Sequence, residues 1–277
     1  MLKAVVDLGS RAARLLIADV NRSSVKVYIS RGFLTMLGSD DSTSIKRLNQ
    51  ALKAFAFIIE RMKINSHDVI AFGTAVFRVH PELSTQVRYY FPSFQIISGL
   101  KEAHYSFAAG ILSQESIKEN QRVLVIDQGG GSLELCLGYR FEDLLVIENA
   151  MSLTGFGSLN YHEDRRRFVE ELILNYPTAQ ELDKRRPKGL QYIVGMGSVV
   201  TQLAFLQSAK PEYRLDEVNG FVIKKEELQK RVRKEQSLGV FLDVLNYYYL
   251  DQMLVSGWGT RHGALFAERI LLRKDNY

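Results

Sequence analysis

Apolar and polar residues alternate in three short runs within the first 32 residues of the chain, and this period of two predicts β-strands. The three runs lie at 2–9, 13–20 and 24–32. Residues 42–63 then change to helical spacing, with Ser42 or Ser44 as the candidate N-cap. The remaining segments predict a strand, turn and helix, followed by another strand and helix, and lie at 68–79, 94–99 and 101–114.

The same order returns in the second half of the chain. Three alternating runs predict a second three-stranded meander at 122–132, 133–140 and 142–153. Helical patterns and one strand–turn–helix pattern follow, at 163–176, 179–185, 191–206 and 224–236. The apolar run at 240–254 predicts a helix, and the last segment, 255–274, predicts a strand, a glycine-rich turn and a final helix.

The chain therefore uses one β-β-β-α-β-α plan twice, which predicts an α/β fold of two related domains with a cleft between them. The polar segment 116–121 is the predicted junction, which gives domains 1–118 and 119–277. The final helix, about 263–277, is expected to begin near the cleft and to return toward the first domain, because glycines precede it and apolar residues recur along it.

The strongest local signal is a repeated turn of Asp and Gly after the first strand of each half. Asp7 and Gly9 in "DLGS" correspond to Asp127 and Gly129 in "DQGGGS". Glycine lets backbone N–H groups approach a ligand closely, and several such groups form a nest for phosphate oxygens. A carboxylate beside phosphate requires a cation between them, so the pattern indicates a hard cation such as Mg²⁺. The glycine-rich segments at Gly197 and at 257–263 support this interpretation.

Charge and composition agree with an anionic ligand. The chain has 277 residues, a net charge of +5 and an ordinary globular composition, 46% hydrophobic and 24% charged. Three basic clusters stand out, at Arg165–Arg167, 184–188 and 230–234, and each alone is more typical of a solvated helix face.

Other features limit the class of protein. The single cysteine, Cys136, lies in an apolar alternation and is interpreted as a core residue in a reducing compartment, so we expect a cytoplasmic protein. The N-terminus lacks the apolar run of a signal peptide. The uncharged run 189–209 contains glutamines and a central glycine turn, so a strand, a turn and a buried helix are expected there instead of a membrane span.

These motifs resemble the exopolyphosphatase and guanosine pentaphosphate phosphohydrolase family, within the larger fold of actin, sugar kinases and heat-shock chaperone ATPases. Its first turn, DIGSNS-like, resembles residues 7–12, its GTxAxR motif resembles "GTAVFR", which ends at Arg78, and its SGxEEAR motif resembles "SGLKEAH" at 98–104. Its DIGGGSTE motif resembles "DQGGGSLE" at 127–134, and three weaker motifs resemble "SLTGFG", "VGMGS" and "GTRHG". The resemblance covers nearly the whole chain and implies two actin-like domains.

The resemblance also implies a reaction and the residues that carry it. Members release the terminal orthophosphate of inorganic polyphosphate, or of guanosine pentaphosphate, with Mg²⁺. Glu102 falls on the catalytic glutamate that activates water, and Arg78 falls on an arginine that contacts phosphate. The expected metal ligands are Asp7, Asp127 and Glu134. The expected phosphate-binding residues are Gly9, Ser10, Arg11, Gly129, Gly130, Gly131, Ser132, Gly197 and Ser198.

The chain departs from the family pattern at several motif positions. Arg11 replaces Asn and adds a positive charge that contacts or obstructs phosphate. The other replacements are Lys101 for Glu, His104 for Arg, Gln128 for Ile and Leu133 for Thr. The family's arginine after the "SL…G" motif has no equivalent in "GFGSLNY".

Three functions are therefore weighed. The first is a Mg²⁺-dependent phosphoanhydride hydrolase with polyphosphate or guanosine pentaphosphate as substrate. The second is a non-catalytic member that binds a guanosine alarmone or polyphosphate, and the third is an actin-like or sugar-kinase-like ATPase. DNA and membrane are not expected as partners, and a homodimer is left open.

Overall fold

The structure of the chain is a computed structural model that describes residues 1–21, 25–38, 42–158, 165–184, 189–208 and 215–272. The chain forms two compact units, Met1–Glu102 and Ala103–Tyr277. They divide inside one helix, earlier than the predicted boundary at 118. The reason is that the part of this helix after Glu102 buries Phe107, Ala108 and Ile111 against strands of the second unit.

The first unit contains a five-stranded sheet. Its strands are β1 (Leu2–Leu8), β2 (Ala12–Val20), β3 (Val25–Leu34), β4 (Val69–Gly73) and β5 (Gln95–Ile96). Its helices are α1 (Ser44–Arg61), α2 (Ala75–Val79), α3 (Ser84–Tyr90) and the first turn of α4 (Gly99–Leu112). One face of the sheet packs on α1 through Leu48, Leu52 and Phe55, which are fully buried.

The second unit contains a seven-stranded sheet. Its strands are β6 (Val123–Gln128), β7 (Ser132–Phe141), β8 (Leu144–Thr154), β9 (Tyr192–Met196), β10 (Phe221–Lys224), β11 (Gln252–Val255) and β12 (Ile270–Leu272). Its helices after α4 are α5 (Arg165–Asn175), α6 (Ala179–Asp183), α7 (Ser198–Ser208), α8 (Lys225–Val232), α9 (Gly239–Tyr247) and α10 (Thr260–Gly263).

The two sheets share one strand order, so the predicted repetition of the plan is confirmed. The first sheet runs β3-β2-β1-β4-β5, and the second contains β8-β7-β6-β9-β11 in the corresponding places. In both, three antiparallel strands form a meander, and its first strand then pairs in parallel with the strand that follows the next helices. The carboxyl ends of the parallel strands therefore meet at one edge in each unit, where ligands of open α/β sheets bind.

Both faces of the second sheet are buried, and alternate side chains of its strands pack into two different cores, one on each face. Leu124, Ile126 and Leu133 face one core. Val123, Val125 and Cys136 face the other, which α4 covers. Cys136 is buried as predicted, and burial raises the pKa of its thiol.

The end of the chain differs from the prediction. No continuous helix follows Gly263 in the described residues: α10 is followed by a 3₁₀ segment, Ala264–Arg269, and then by β12, which pairs in parallel with β8 of the second sheet. Pairing at this sheet edge overrides the helical spacing of the apolar residues, since short apolar runs fit either structure. Residues 273–277 lie outside the described part.

The apolar helix predicted for 240–254 is also too long. It ends at Tyr247, Tyr249 adopts a positive φ of 54°, and Gln252–Val255 form β11. Of the three consecutive tyrosines, Tyr248 serves packing, as expected: it is buried, and its hydroxyl donates to the Pro177 carbonyl. Tyr249 is exposed. At the start of α1 the N-cap is Thr43, so neither Ser42 nor Ser44 caps this helix.

Among the helices in the described ranges, none combines the length and the apolar character that a bilayer span needs. The uncharged run 189–209 instead forms β9, a turn at Gly197 and α7, as predicted.

Candidate active site

The turn between β1 and β2 is closed by a hydrogen bond from the Gly9 amide to the Ala12 carbonyl, 3.0 Å long. This bond occupies the first amide of the turn. The next two amides, of Ser10 and Arg11, have no acceptor within the described part of the chain. Two successive unpaired N–H groups in a turn are the donors that an anion requires.

The turn between β6 and β7 has the same hydrogen bond at the corresponding place. The Gly129 amide donates to the Ser132 carbonyl at 3.0 Å. The amides of Gly130 and Gly131 have no acceptor among the described residues. The repeated Asp-Gly pattern therefore encodes one backbone structure twice, as the sequence predicted.

The carbonyl groups of both turns are held by a segment that follows the third strand of each meander. We call Thr35–Gly38 the first returning segment and Gly155–Ser158 the second. Thr35 and Met36 donate to the Arg11 carbonyl, and Gly38 donates to the Ser10 carbonyl, at 2.9 to 3.1 Å.

In the second unit, the Gly155 amide donates to the Gly131 carbonyl and the Ser158 amide donates to the Gly129 carbonyl, both at 2.8 Å. A Cβ at Gly157 would lie 2.3 Å from the Gly130 carbonyl oxygen, so only glycine permits this approach. The returning segments thus bind carbonyl groups of both turns and leave the amides at 10, 11, 130 and 131 without an acceptor among the described residues.

Asp127 and Glu134 lie directly opposite each other on β6 and β7, so their side chains share one face of the sheet. Two hydroxyl groups donate to Asp127 Oδ2, from Ser106 of α4 at 2.5 Å and from Thr260 at 3.3 Å. Ser152 of β8 donates to Glu134 at 3.0 Å. Both carboxylates are buried, and Glu134 more deeply. No group of three or more His, Cys, Asp or Glu side chains with metal-binding geometry occurs within the described residues.

Arg78 and Glu102 form an ion pair in the first unit. Arg78 Nη1 donates to Glu102 Oε2 at 2.9 Å and to the Ile97 carbonyl at 3.1 Å. Its Nη2 is buried and has no hydrogen-bond partner in the part of the chain that the structure describes. Arg78 therefore holds Glu102 with one amino group, and no described residue accepts a hydrogen bond from the other.

The positions of Arg78 and Glu102 follow from where their helices, α2 and α4, begin at the edge of the first sheet. The Thr74 amide, just before α2, donates to the Leu8 carbonyl at 3.1 Å, so α2 with Arg78 begins beside the first turn. The Ile97 amide donates to the Gly73 carbonyl at 3.1 Å, and α4 with Glu102 begins two residues later. The Ser98 hydroxyl caps this helix by accepting from the Lys101 amide.

Gly197 makes the corresponding turn in the second unit, between β9 and α7. Its φ is +104°, and a Cβ would lie 2.2 Å from the Gln128 carbonyl oxygen. Gly197 therefore touches the end of β6 directly, next to the second turn. Ser198 follows as the first residue of α7, an eleven-residue helix whose N-terminus favours anions.

Two of the departures from the family pattern lie away from the carboxylates. Gln128 and Leu133 pair across β6 and β7, and both point to the face opposite Asp127 and Glu134. Leu133 belongs to the core, and Gln128 Nε2 donates to the Ser237 carbonyl at 2.9 Å. Neither replacement changes the groups around Asp127.

The other departures change charge. Lys101 is exposed on α4. His104 is half-buried, and desolvation lowers its pKa below the ordinary value, so it is neutral near pH 7. Arg11 is half-buried, and its guanidinium has no hydrogen-bond or charge partner among the described residues.

Sequence reasoning missed several residues of this site. Ser106 was not singled out, and Thr260 entered only as part of the "GTRHG" motif, because their contacts with Asp127 join positions 21 and 133 residues away from it. The first returning segment was also missed, and its one sequence signal is Gly38, shortly after the third strand. The second overlaps the "SLTGFG" motif, but its bonds to the second turn were not predicted.

Comparison with known proteins identifies the group to which this site belongs. The sequence profile of the Ppx/GppA phosphatase family matches residues 9–271. A Fusobacterium nucleatum protein named "Bifunctional 3-dehydroquinate synthase/phosphatase" is 29% identical over 63% of this chain and 28% of its own length. A Haemophilus influenzae protein named "Putative exopolyphosphatase" is 27% identical over 73% of this chain and 65% of its own length. The chain thus spans less than two thirds of the length of these curated relatives.

The crystal structure of the Ppx/GppA family member from Aquifex aeolicus is similar to this chain, with a TM-score of 0.72 and 25% identity over 97% of both chains. The likeness confirms an α/β fold of two actin-like domains, in agreement with the shared strand order. The match over nearly the whole length, together with the two equivalent turns, shows that the chain belongs to the Ppx/GppA phosphatase family.

Proposed function

We propose that this protein hydrolyses the terminal phosphoanhydride bond of inorganic polyphosphate and releases orthophosphate. The observation that carries the proposal is the second turn, where the unpaired amides of Gly130 and Gly131 lie beside the buried carboxylate of Asp127. Donors for phosphate oxygens next to a ligand for a hard cation are what phosphoryl transfer requires. The relative named as an exopolyphosphatase supports the choice of substrate.

Glu102 is the proposed general base. A carboxylate that accepts a proton from water must be oriented, and Arg78 Nη1 holds Glu102 Oε2 at 2.9 Å. The second amino group of Arg78 is the proposed contact for a phosphate oxygen, since guanidinium presents several donors in one plane. Ser106 lies one turn after Glu102 on α4 and binds Asp127, so a single helix carries the base and a hydroxyl that orients Asp127.

The residues present suit Mg²⁺. This ion commonly takes one or two protein carboxylates and completes its shell with water and substrate phosphates. Asp127 and Glu134 share one sheet face, and hydroxyl donors fix both, so they supply oxygen ligands without forming a closed cage. Asp7 occupies the corresponding position in the first turn, and its role as a metal ligand stays a prediction. The bound ion would neutralise charge on the phosphate that is attacked.

Guanosine pentaphosphate is the proposed second substrate, because its terminal phosphoanhydride presents the same chemistry. Ser10 and Arg11 contribute unpaired amides and one guanidinium without a partner in the described part, so the first turn also suits a polyanion.

The test compares wild type with Glu102→Gln, and with Glu115→Gln as the matched control. Orthophosphate release is measured with Mg²⁺ from polyphosphate, guanosine pentaphosphate and ATP in parallel. The glutamine keeps the shape and the hydrogen bond from Arg78 but cannot accept a proton, so we expect turnover to fall about 10²–10⁴-fold with little change in binding. Glu115 is exposed just after α4, and its replacement should leave turnover unchanged.

Equal release by wild type and Glu102→Gln would show that Glu102 is not the base. Release from ATP alone would favour an ATPase. If no substrate releases orthophosphate while a guanosine alarmone still binds, the chain is a non-catalytic binding member and the proposed hydrolysis is wrong.

A further inference from the structure

Three consecutive arginines begin α5, and two of them are neutralised. Arg165 makes two hydrogen bonds to the Asp243 carboxylate, at 2.9 and 2.6 Å. Arg166 pairs with Glu170 one turn later, at 3.2 Å. Arg167 has no carboxylate partner in the part of the chain that the structure describes.

Arg167 is nevertheless held in place. Its guanidinium carbon lies 5.2 Å from the centre of the Phe156 ring, which is a cation–π distance. Phe156 is buried in the main core of the second unit. The stacked face of a guanidinium leaves the donors at its edge available, so Arg167 is positioned without losing its capacity to bind an anion.

Phe156 belongs to the second returning segment, which binds the second turn. Gly155 and Ser158, on either side of Phe156, donate to the carbonyls of Gly131 and Gly129. Gly157 packs on the Gly130 peptide. Arg167 is therefore fixed to the second turn through one aromatic ring and two backbone hydrogen bonds.

We infer that Arg167 is a phosphate-binding residue, which holds a phosphate group of the substrate chain beyond the group bound at the second turn. This inference rests on the proposed function for the identity of the substrate, and it adds a binding residue that no motif indicates. Arg167 contacts a part of the substrate that does not react. It therefore stabilises ground state and transition state equally and acts on KM more than on kcat.

The test uses Arg167→Ala with Arg166→Ala as the matched control, since both remove one arginine from adjacent positions of one helix. For long-chain polyphosphate, we expect Arg167→Ala to raise KM about tenfold with kcat changed less than twofold, because one charge-assisted hydrogen bond is lost. Arg166→Ala should change KM less than twofold. The effect of Arg167→Ala should decrease as the polyphosphate is shortened to tripolyphosphate, and Arg167→Lys should recover part of the lost affinity.

Binding separates this inference from the proposed hydrolysis. Affinity for unhydrolysed polyphosphate and for guanosine pentaphosphate is measured directly in the Glu102→Gln background, with and without Arg167→Ala. Weaker binding of polyphosphate supports the inference even if no variant is active, and weaker binding of both ligands extends it to the nucleotide. Equal losses for Arg167→Ala and Arg166→Ala, or a loss independent of chain length, would overturn it while leaving the proposed hydrolysis intact.

Discussion

At the residue scale, the most informative arrangement is the pair of hydroxyls on Asp127. Ser106 and Thr260 donate to the same oxygen, Oδ2, and Ser106 Oγ lies 3.2 Å from Thr260 Oγ1. Hydrogen bonds to an ionised acceptor are stronger than neutral ones and restrict its rotation. Ser106 and Thr260 are therefore positioning residues, which hold Asp127 in one orientation.

Ser106→Ala should raise the Mg²⁺ concentration needed for half-maximal orthophosphate release about three- to tenfold, because a less restrained carboxylate is a poorer cation ligand. Ser106→Thr, which keeps the hydroxyl, should restore much of the Mg²⁺ affinity. Ser113→Ala is the control, since Ser113 follows the same helix and donates to the Gly110 carbonyl and Ser256. If Ser106→Ala lowers thermal stability but leaves the Mg²⁺ dependence unchanged, Ser106 has a structural role only.

The residue scale also shows what the sequence can indicate. The hydrogen-bonded turns after Asp7 and Asp127 could be predicted from their glycines, because these contacts join neighbouring residues. Metal binding by Asp127 and Glu134 stays a prediction. The contacts of Ser106, Thr260 and Arg167 could not be predicted, because only the folded sheet and helices create them. Gln128 and Leu133 point away from Asp127 and Glu134. This orientation follows from the β6–β7 register, which fixes the face of the sheet that each side chain occupies.

At the element scale, glycine conformation fixes how α7 joins the sheet. Gly197 combines a left-handed backbone with direct contact to the Gln128 carbonyl. Gly220 also has a positive φ, +74°, but its nearest neighbour, Gln114 Oε1, would be 3.6 Å from a Cβ, which is an ordinary contact. Both positions therefore need a positive φ, but an added Cβ would clash with a neighbour only at Gly197.

Gly197→Ala should therefore lower the free energy of unfolding by about 2–5 kcal/mol, the sum of the left-handed backbone cost and the clash with β6. Gly220→Ala should lower it by only about 1–2 kcal/mol, since only the backbone cost applies. Urea denaturation of both variants measures the difference. Equal decreases in the free energy of unfolding would mean that the contact between Gly197 and β6 adjusts to the added methyl group without loss of stability.

Elements are also where the sequence prediction is least complete. The meanders and the amphipathic helix α1 follow from clear periods of two and 3.6 residues. The wrong assignments, a final helix beyond Gly263 and a helix from 240 to 254, both fall on apolar runs without clear alternation. Strand pairing determines the structure of both runs: β11 pairs in parallel with β9, and β12 pairs in parallel with β8 and forms the edge of the sheet.

At the scale of the whole molecule, one buried ion pair joins distant parts of the second unit. Arg122, just before β6, makes two hydrogen bonds to Glu148 of β8, at 2.6 and 3.0 Å. Arg122 also donates to the carbonyls of Leu182 and Gly189. Both charged side chains are almost fully buried, so removal of the Glu148 carboxylate would leave the Arg122 guanidinium buried without this ion pair.

Glu148→Gln should lower the free energy of unfolding by about 3–5 kcal/mol, because it leaves the Arg122 charge buried and uncompensated. The double variant Arg122→Met/Glu148→Leu removes both charges together. Its decrease in the free energy of unfolding should therefore be clearly smaller than the summed decreases of Arg122→Met and Glu148→Leu. Chemical denaturation of the set measures the coupling. Additive losses would show that the two side chains act independently.

The returning segments have a consequence for the entropy of ligand binding. A loop that is ordered only when its ligand arrives loses about 1–2 kcal/mol of conformational freedom for each residue that becomes fixed. In this protein the backbone of both turns is already fixed by bonds to Thr35–Gly38 and Gly155–Ser158. That freedom is lost once, when the chain folds, and not each time a phosphate group enters the turn.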